Sequence, residues 1–262
     1  MKKGLLVISH GSRDSSWVAL VDEAIAQVHW PEGLPVASSF LECVPGRDIQ
    51  AGIDELEAQG VEQIAVIPLF ISSGSTHVDE IAWALGMTTE PLAETDLERF
   101  RVQADVVYGR PLDEHAAMLA MVEDRVAELA AGAGVRVLLI AHGSPHEPFQ
   151  TRWRDSLSRI AERLVAQGAC AAAGYALLCC DDIPARVQAM ACEDGSGTTV
   201  AVVPLFLSRG YFTTKVIPER LAALSGDQTL QVIYNGNTLL PHRLLPRWLE
   251  QECNTLLSNL HV

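Results

Sequence analysis

Two short stretches of this 262-residue chain occur twice, in the same order, and that duplication limits the architecture more than any other feature. Leu5-Leu6-Val7-Ile8-Ser9-His10-Gly11-Ser12 returns as Val137-Leu138-Leu139-Ile140-Ala141-His142-Gly143-Ser144, at an offset of 132 residues. Val66-Ile67-Pro68-Leu69-Phe70-Ile71-Ser72-Ser73-Gly74 returns as Val202-Val203-Pro204-Leu205-Phe206-Leu207-Ser208-Arg209-Gly210, at an offset of 136. Nearly equal offsets indicate a tandem duplication, with one copy over residues 1–131 and the other over 132–262.

Each copy alternates short apolar runs with amphipathic stretches. In the first, residues 4–9, 35–41, 63–70 and 101–107 read as strands, and 14–29, 47–59, 77–86 and 112–130 as helices. In the second, strands are expected at 136–141, 172–178, 199–206 and 229–234, and helices at 148–167, 182–191, 215–224 and 242–258. Continuous apolar strands separated by helices predict an α/β fold, each copy a parallel sheet covered on both faces, the two facing each other across a cleft. The segment 87–100 reads as a surface loop.

Composition narrows the function. Apolar residues make up 48%, enough for a full core. No apolar run reaches the roughly 18 residues of a membrane span, and no secretory leader pattern opens the chain, so a cytoplasmic protein with no membrane partner is expected. The net charge of −14 argues against nucleic acid. It lies wholly in the first copy, with 8 Lys+Arg against 22 Asp+Glu; the second holds 11 of each. The six cysteines show no zinc spacing and are expected as free thiols.

In parallel sheets ligands bind beyond the carboxyl ends of the strands. In the first copy those ends carry His10, Glu42 and His77. A lone strand-end histidine is usually a hydrogen-bonded structural residue. Two imidazoles and a carboxylate at three strand ends are a ligand set for divalent first-row metals, and they also supply proton acceptors. The second copy keeps His142 but places Leu178 at the Glu42 position by the 136 offset. It places Thr213 at the His77 position, or Phe212 if the loop is one residue shorter. The scaffold repeats and the ligand set does not, which locates chemistry in the first copy.

His10-Gly11-Ser12-Arg13 after a strand, Phe40-Leu41-Glu42, and Val66-Ile67-Pro68-Leu69-Phe70 followed by Gly74 and His77 resemble the class II tetrapyrrole chelatases of the sirohydrochlorin cobalt- and ferrochelatase family, in its long two-domain form. The resemblance covers the whole chain as two family-like halves. It implies insertion of Co²⁺ or Fe²⁺ (with Ni²⁺ or Zn²⁺ possible) into sirohydrochlorin, toward cobalamin or siroheme. No cofactor is implied beyond the transferred metal; the histidine-rich or iron–sulfur tail of some long forms is missing. His10, Glu42 and His77 take the catalytic and metal-holding roles. Ile71, Ser72, Ser73, Gly74, Ser75 and Thr76 match the stretch that contacts the macrocycle.

Further substrate contacts are expected from Ser12 and Arg13, and from Arg209, Tyr211, Phe212 and Lys215. The last four offer cations and aromatic rings for a flat molecule fringed by carboxylates. His115 and His242, at corresponding helix starts, read as structural. The rival reading is a metal or tetrapyrrole carrier without turnover. An unrelated metal hydrolase ranks lower, because no carboxylate-rich two-metal pattern is present.

Overall fold

A computed structural model describes residues 1–129, 134–191, 198–224, 226 and 230–260. The expected boundary between 131 and 132 lies outside the described residues. The elements run β1 (Lys3–Ser9), α1 (Ser15–Ala26), β2 (Val36–Phe40), α2 (Ile49–Ala58), β3 (Gln63–Pro68), α3 (Thr76–Ala84), β4 (Asp105–Tyr108) and α4 (Ala116–Leu129). The repeat then follows as β5 (Arg136–Ala141), α5 (Phe149–Ala166), β6 (Ala172–Leu177), α6 (Ile183–Ala191), β7 (Thr198–Pro204), a π-helical turn (Phe212–Val216), α7 (Ile217–Ala222), β8 (Leu230–Ile233) and α8 (Leu244–Asn259).

The strands form two four-stranded parallel sheets, ordered β2-β1-β3-β4 and β6-β5-β7-β8. Both are the α/β arrangement expected from the repeat, with equivalent strand order. Residues Lys3–Ile8 of β1 pair with Gln63–Pro68 of β3, and Arg136–Ile140 of β5 pair with Val200–Pro204 of β7.

Compactness groups the chain differently from its sequence halves. One unit comprises Met1–Leu112 with His242–Val262, the other Asp113–Pro241. The last helix of each copy therefore covers the other copy's sheet: α8 packs on β3 and β4, and α4 on β7. In the first unit the Lys3 ammonium donates to the carbonyls of Leu257 (2.9 Å) and Leu260 (3.1 Å) near the end of α8, where orphan carbonyls favour a cation. In the second unit the nearly buried Arg125 of α4 donates to the carbonyls of Thr238, Leu239 and Pro241.

Each core follows from strand alternation. Leu6 and Ile8 of β1 point to one face of the first sheet and pack with Ile49, Ile53 and Leu56 of α2 and Ile81 of α3. In the second unit Leu138 and Ile140 pack with Ile183, Val187 and Ile217. No helix among the described residues is long and apolar enough to cross a membrane.

Two findings depart from the sequence reading. Cys179 and Cys180 are joined by a disulfide, where free thiols were expected; they occupy one tight turn with Cα atoms 3.8 Å apart, which brings the sulfurs together. Cys43, Cys170 and Cys253 are thiols as expected; Cys192 lies outside the described residues. The expected helix 215–224 is instead a π-helical turn running into α7. Ile217 N–H reaches back to Phe212 O because Pro218 has no N–H to give Thr214 O and its ring crowds that carbonyl. The segment 87–100 is a surface loop as expected, and it is tied down: Leu92 N–H donates to Asp79 (2.7 Å), and Arg99 donates to the carbonyls of Trp83, Thr88 and Thr89.

The carboxyl ends of the first two strands of each copy meet in a close seam. Gly11 sits at φ +96°, and a Cβ there would lie 1.9 Å from Glu42 O. Gly143 sits at φ +79°, and a Cβ there would lie 2.7 Å from Leu177 Cβ and 2.8 Å from Cys179 Sγ. A side chain therefore meets both a left-handed backbone and an occupied space. Gly11→Ala is expected to lower stability by at least about 2 kcal/mol and displace residues 41–43, measured by urea unfolding. A loss under 0.5 kcal/mol would contradict this geometry.

The matching turn in the second copy is held by Asp181. Its carboxylate accepts from Leu177 N–H (2.8 Å) and from Arg154 (3.0 Å), with Arg186 at 3.7 Å. Burial pushes its pKa up, but the Arg154 and Leu177 hydrogen bonds and both guanidinium charges outweigh that and leave it below the usual carboxylate value. A depressed folded pKa stabilises above the unfolded value of about 3.9 and stops doing so as pH falls through the folded value. Asp181→Asn should therefore cost about 2–3 kcal/mol at pH 7. That difference from wild type should shrink progressively below about pH 4. A pH-independent difference would rule the assignment out.

Candidate metal and tetrapyrrole site

The first unit brings together the side chains that the sequence nominated. β1 ends at Ser9, so His10 stands at the strand's carboxyl end, and the seam sets Glu42 N–H on His10 O at 3.0 Å. The His10 Nδ1 lies 3.1 Å from Gly11 O and 3.7 Å from Glu42 Oε1. His77 lies in the first turn of α3, whose start is set by the turn Ser72–Ser75 (Ser75 N–H to Ser72 O, 3.0 Å). The two imidazole rings meet edge to face with centroids 4.8 Å apart, and Phe70 stands 6.4 Å from His77. Among the described residues no three His, Cys, Asp or Glu side chains come together closely enough to hold a metal ion. His10 neighbours both Glu42 and His77, and the three side chains are about half exposed.

Glu80 is a functional candidate that the sequence reading passed over. His77 Nδ1 lies 2.5 Å from its Oε1, and Thr95 Oγ1 donates to its Oε2 at 2.5 Å. The side chain is only 18% exposed. Burial alone would raise its pKa, but the hydrogen bonds from His77 and Thr95 and the nearby imidazoles hold it below the usual value. A carboxylate on one ring nitrogen fixes the tautomer and turns the other nitrogen outward as a ligand. The signal was present as an i, i+3 pair, His77 and Glu80, on a predicted helix. Thr95 belongs to the segment 87–100, so that segment braces the site.

The expected substrate contacts fall into two groups. Ser72 is buried and accepts Gly74 N–H (3.0 Å), so it builds the turn; Gly74 is buried as well. Ser12 accepts Asp14 N–H (3.1 Å) at the start of α1. Ser75 precedes α3 as its N-cap residue, and Thr76 opens that helix. Arg13 is exposed, and Ile71, Ser73, Ser75 and Thr76 are partly exposed. In the second unit Arg209 is engaged by Gly236 O, Asn235 O and Asn237 Oδ1. Tyr211 is 63% exposed, Lys215 lies 5.9 Å over its ring, and Phe212 stacks on Phe206. His115 and His242 each accept a backbone N–H two residues on, from Ala117 and Leu244, as structural residues do at helix starts.

The hydrogen bonds also settle which residues correspond. Glu42 N–H donates to His10 O and Cys179 N–H to His142 O, so Cys179, not Leu178, stands in the Glu42 position. His142 meets Phe212 edge to face at 4.9 Å, as His10 meets His77, so Phe212 rather than Thr213 takes the His77 position. The 136 offset failed for Glu42 because the connection from that position to the third strand is one residue shorter in the second copy, 23 residues from Cys179 to Val202 against 24 from Glu42 to Val66. The second copy therefore reads His142, Cys179, Phe212 where the first reads His10, Glu42, His77.

Comparison with known proteins agrees with this fold. A sirohydrochlorin cobaltochelatase of Methanothermobacter thermautotrophicus is 30% identical over 132 residues, which is 48% of this chain and 91% of that protein. The structure of SirB from Bacillus subtilis with Fe³⁺ superposes with a TM-score of 0.74 at 20% identity, covering 99% of this chain and 97% of that one. The sirohydrochlorin chelatase SirB from Bacillus subtilis subspecies spizizenii in complex with cobalt gives 0.70 at 20% identity, with the same coverage. The CbiX family profile matches residues 4–129 and again 136–256, and the chain, a tandem pair of these domains, belongs to the CbiX family.

Proposed function

We propose that the protein is a sirohydrochlorin chelatase that inserts Co²⁺ or Fe²⁺ into the tetrapyrrole, with the metal handled by His10, Glu42 and His77. The observation that carries this reading is the pair of adjacent imidazoles at the strand ends of the first unit, one of them held by Glu80. Family membership and the relatives' named activity support it.

Insertion replaces two pyrrole N–H protons by one dication, so each turnover releases two protons. His77, with Nδ1 held at Glu80, presents its other nitrogen to the ion. His10 supplies a second imidazole, and Glu42 a carboxylate able to accept a proton. A small, open ligand set suits transfer, because a closed cage would oppose release to four ring nitrogens. The strong negative charge of the first copy raises the local concentration of cations and is screened beyond about 8 Å at physiological salt. The carboxylate-fringed ring then needs apolar and cationic contacts. Ser12, Arg13, Ile71, Ser73, Ser75 and Thr76 are the candidates in the first unit.

An absorbance time course of sirohydrochlorin with Co²⁺ or Fe²⁺ tests the reading, with the protein-free rate as baseline. Catalytic amounts of protein should convert many equivalents; a carrier would stop near one. His10→Ala and His77→Ala should each lower the catalysed rate by 10²-fold or more, on the order of a lost acid–base or ligand group. His142→Ala should stay within about twofold of wild type, since Cys179 and Phe212 do not complete a set around it. Equal losses in all three would contradict the assignment. Glu80→Gln should weaken Co²⁺ binding about 10–100-fold, as removal of a group orienting a histidine ligand does; an unchanged Kd would remove it from the site.

A further inference from the structure

The second copy does more than lose the metal site of the first. At the end of β2 the chain reads Leu41-Glu42-Cys43; at the end of β6 it reads Leu178-Cys179-Cys180. The copies share the second cysteine, and replacement of the carboxylate by a thiol makes an adjacent pair. Both cysteines are exposed. Cys179 N–H donates to His142 O at 3.1 Å, and its sulfur lies against Gly143, where an added Cβ would be 2.8 Å away. The Cys180 sulfur is 3.4 Å from Gln150 Nε2 and 3.6 Å from Ser144 O. Both sulfurs thus stand over the His142–Ser144 segment, and Phe212 backs the His142 ring with an apolar wall. In the first unit the corresponding position puts a carboxylate oxygen 3.7 Å from the histidine.

We propose that the second unit holds a redox-gated site for a thiophilic divalent cation, with the Cys179 and Cys180 thiolates and the His142 imidazole as donors. Exchanging an oxygen donor for sulfur moves the preference from hard ions toward Zn²⁺, Cd²⁺ and Co²⁺. In the disulfide form the two sulfurs are bonded to each other and the site is closed. A dithiol reductant opens it: the Cys179–Cys180 bond breaks, the reductant's two sulfurs join, and its two protons pass to the cysteines. Binding of the dication then releases those two protons. This site is separate from the one proposed at His10.

The full-length chain, reduced with a dithiol and desalted without oxygen, is titrated with Co²⁺ alone beside the oxidised chain. The reduced chain should bind one more Co²⁺ per chain, with intense thiolate-to-cobalt absorption in the near ultraviolet. That absorption should vanish on oxidation and in the Cys179→Ser/Cys180→Ser double variant, and persist in Cys43→Ser. His142→Ala should weaken the additional binding at least tenfold. His10→Ala should lose the other equivalent and keep the absorption, which separates failure here from failure of the reading at His10. Equal Co²⁺ binding by reduced and oxidised chains, or absorption that survives the double variant, would overturn the proposal. An unchanged affinity in His142→Ala would overturn the ligand set.

Discussion

The close approach of the His10–Gly11 turn to the end of β2 is the constraint on which the site depends. The sheet register places Ser9 opposite Phe40, and the chain after β2 then donates two more hydrogen bonds, Leu41 N–H to Ser9 O and Glu42 N–H to His10 O. That puts Glu42 O where a Cβ on residue 11 would sit. Only glycine combines that lack of bulk with the positive φ the turn requires. The result is a histidine and a carboxylate fixed side by side through backbone rather than through flexible side chains. The second copy has the same seam with different side chains on it, so the His-Gly pair persists where the ligand set does not. Its persistence is a matter of backbone geometry, and its partners decide the chemistry.

Around that seam the first unit adds support in layers. Ser72 is consumed in the turn that starts α3, and α3 in turn aims His77 at His10. Glu80, one turn further along, holds His77 from behind, and Thr95 holds Glu80. A carboxylate bonded to one ring nitrogen restrains a histidine's orientation, as it does for histidines that bind metals. The acidic segment that supplies Thr95 is thereby part of the site's support as well as of its field.

Much of this was legible in the sequence. Strands and helices followed from apolar runs and their period, and the repeat fixed a common topology for both sheets. The strand-end rule located His10, Glu42 and His77. What was hidden depends on where loops place residues. An offset read from one motif cannot reveal a connection one residue shorter beside it, so Leu178 was matched to Glu42 until hydrogen bonds showed Cys179 in that place. The vicinal disulfide was concealed for the same reason: composition treats cysteines singly, and only the turn held by Asp181 brings these two sulfurs together. Pro218 was visible, but its effect on Phe212 depends on the wide turn it forces. The covering of each sheet by the other copy's last helix is a tertiary choice that local periodicity does not record.

Under the proposed function, the first copy alone holds the transferred metal in the oxidised protein. Anomalous diffraction from a crystal of the oxidised chain soaked in Co²⁺ tests it most directly. One strong peak is predicted within coordination distance of His10 and His77, about 2.1 Å from an imidazole nitrogen of each, with none at His142. A peak of equal height at His142, or none beside His10, would contradict it.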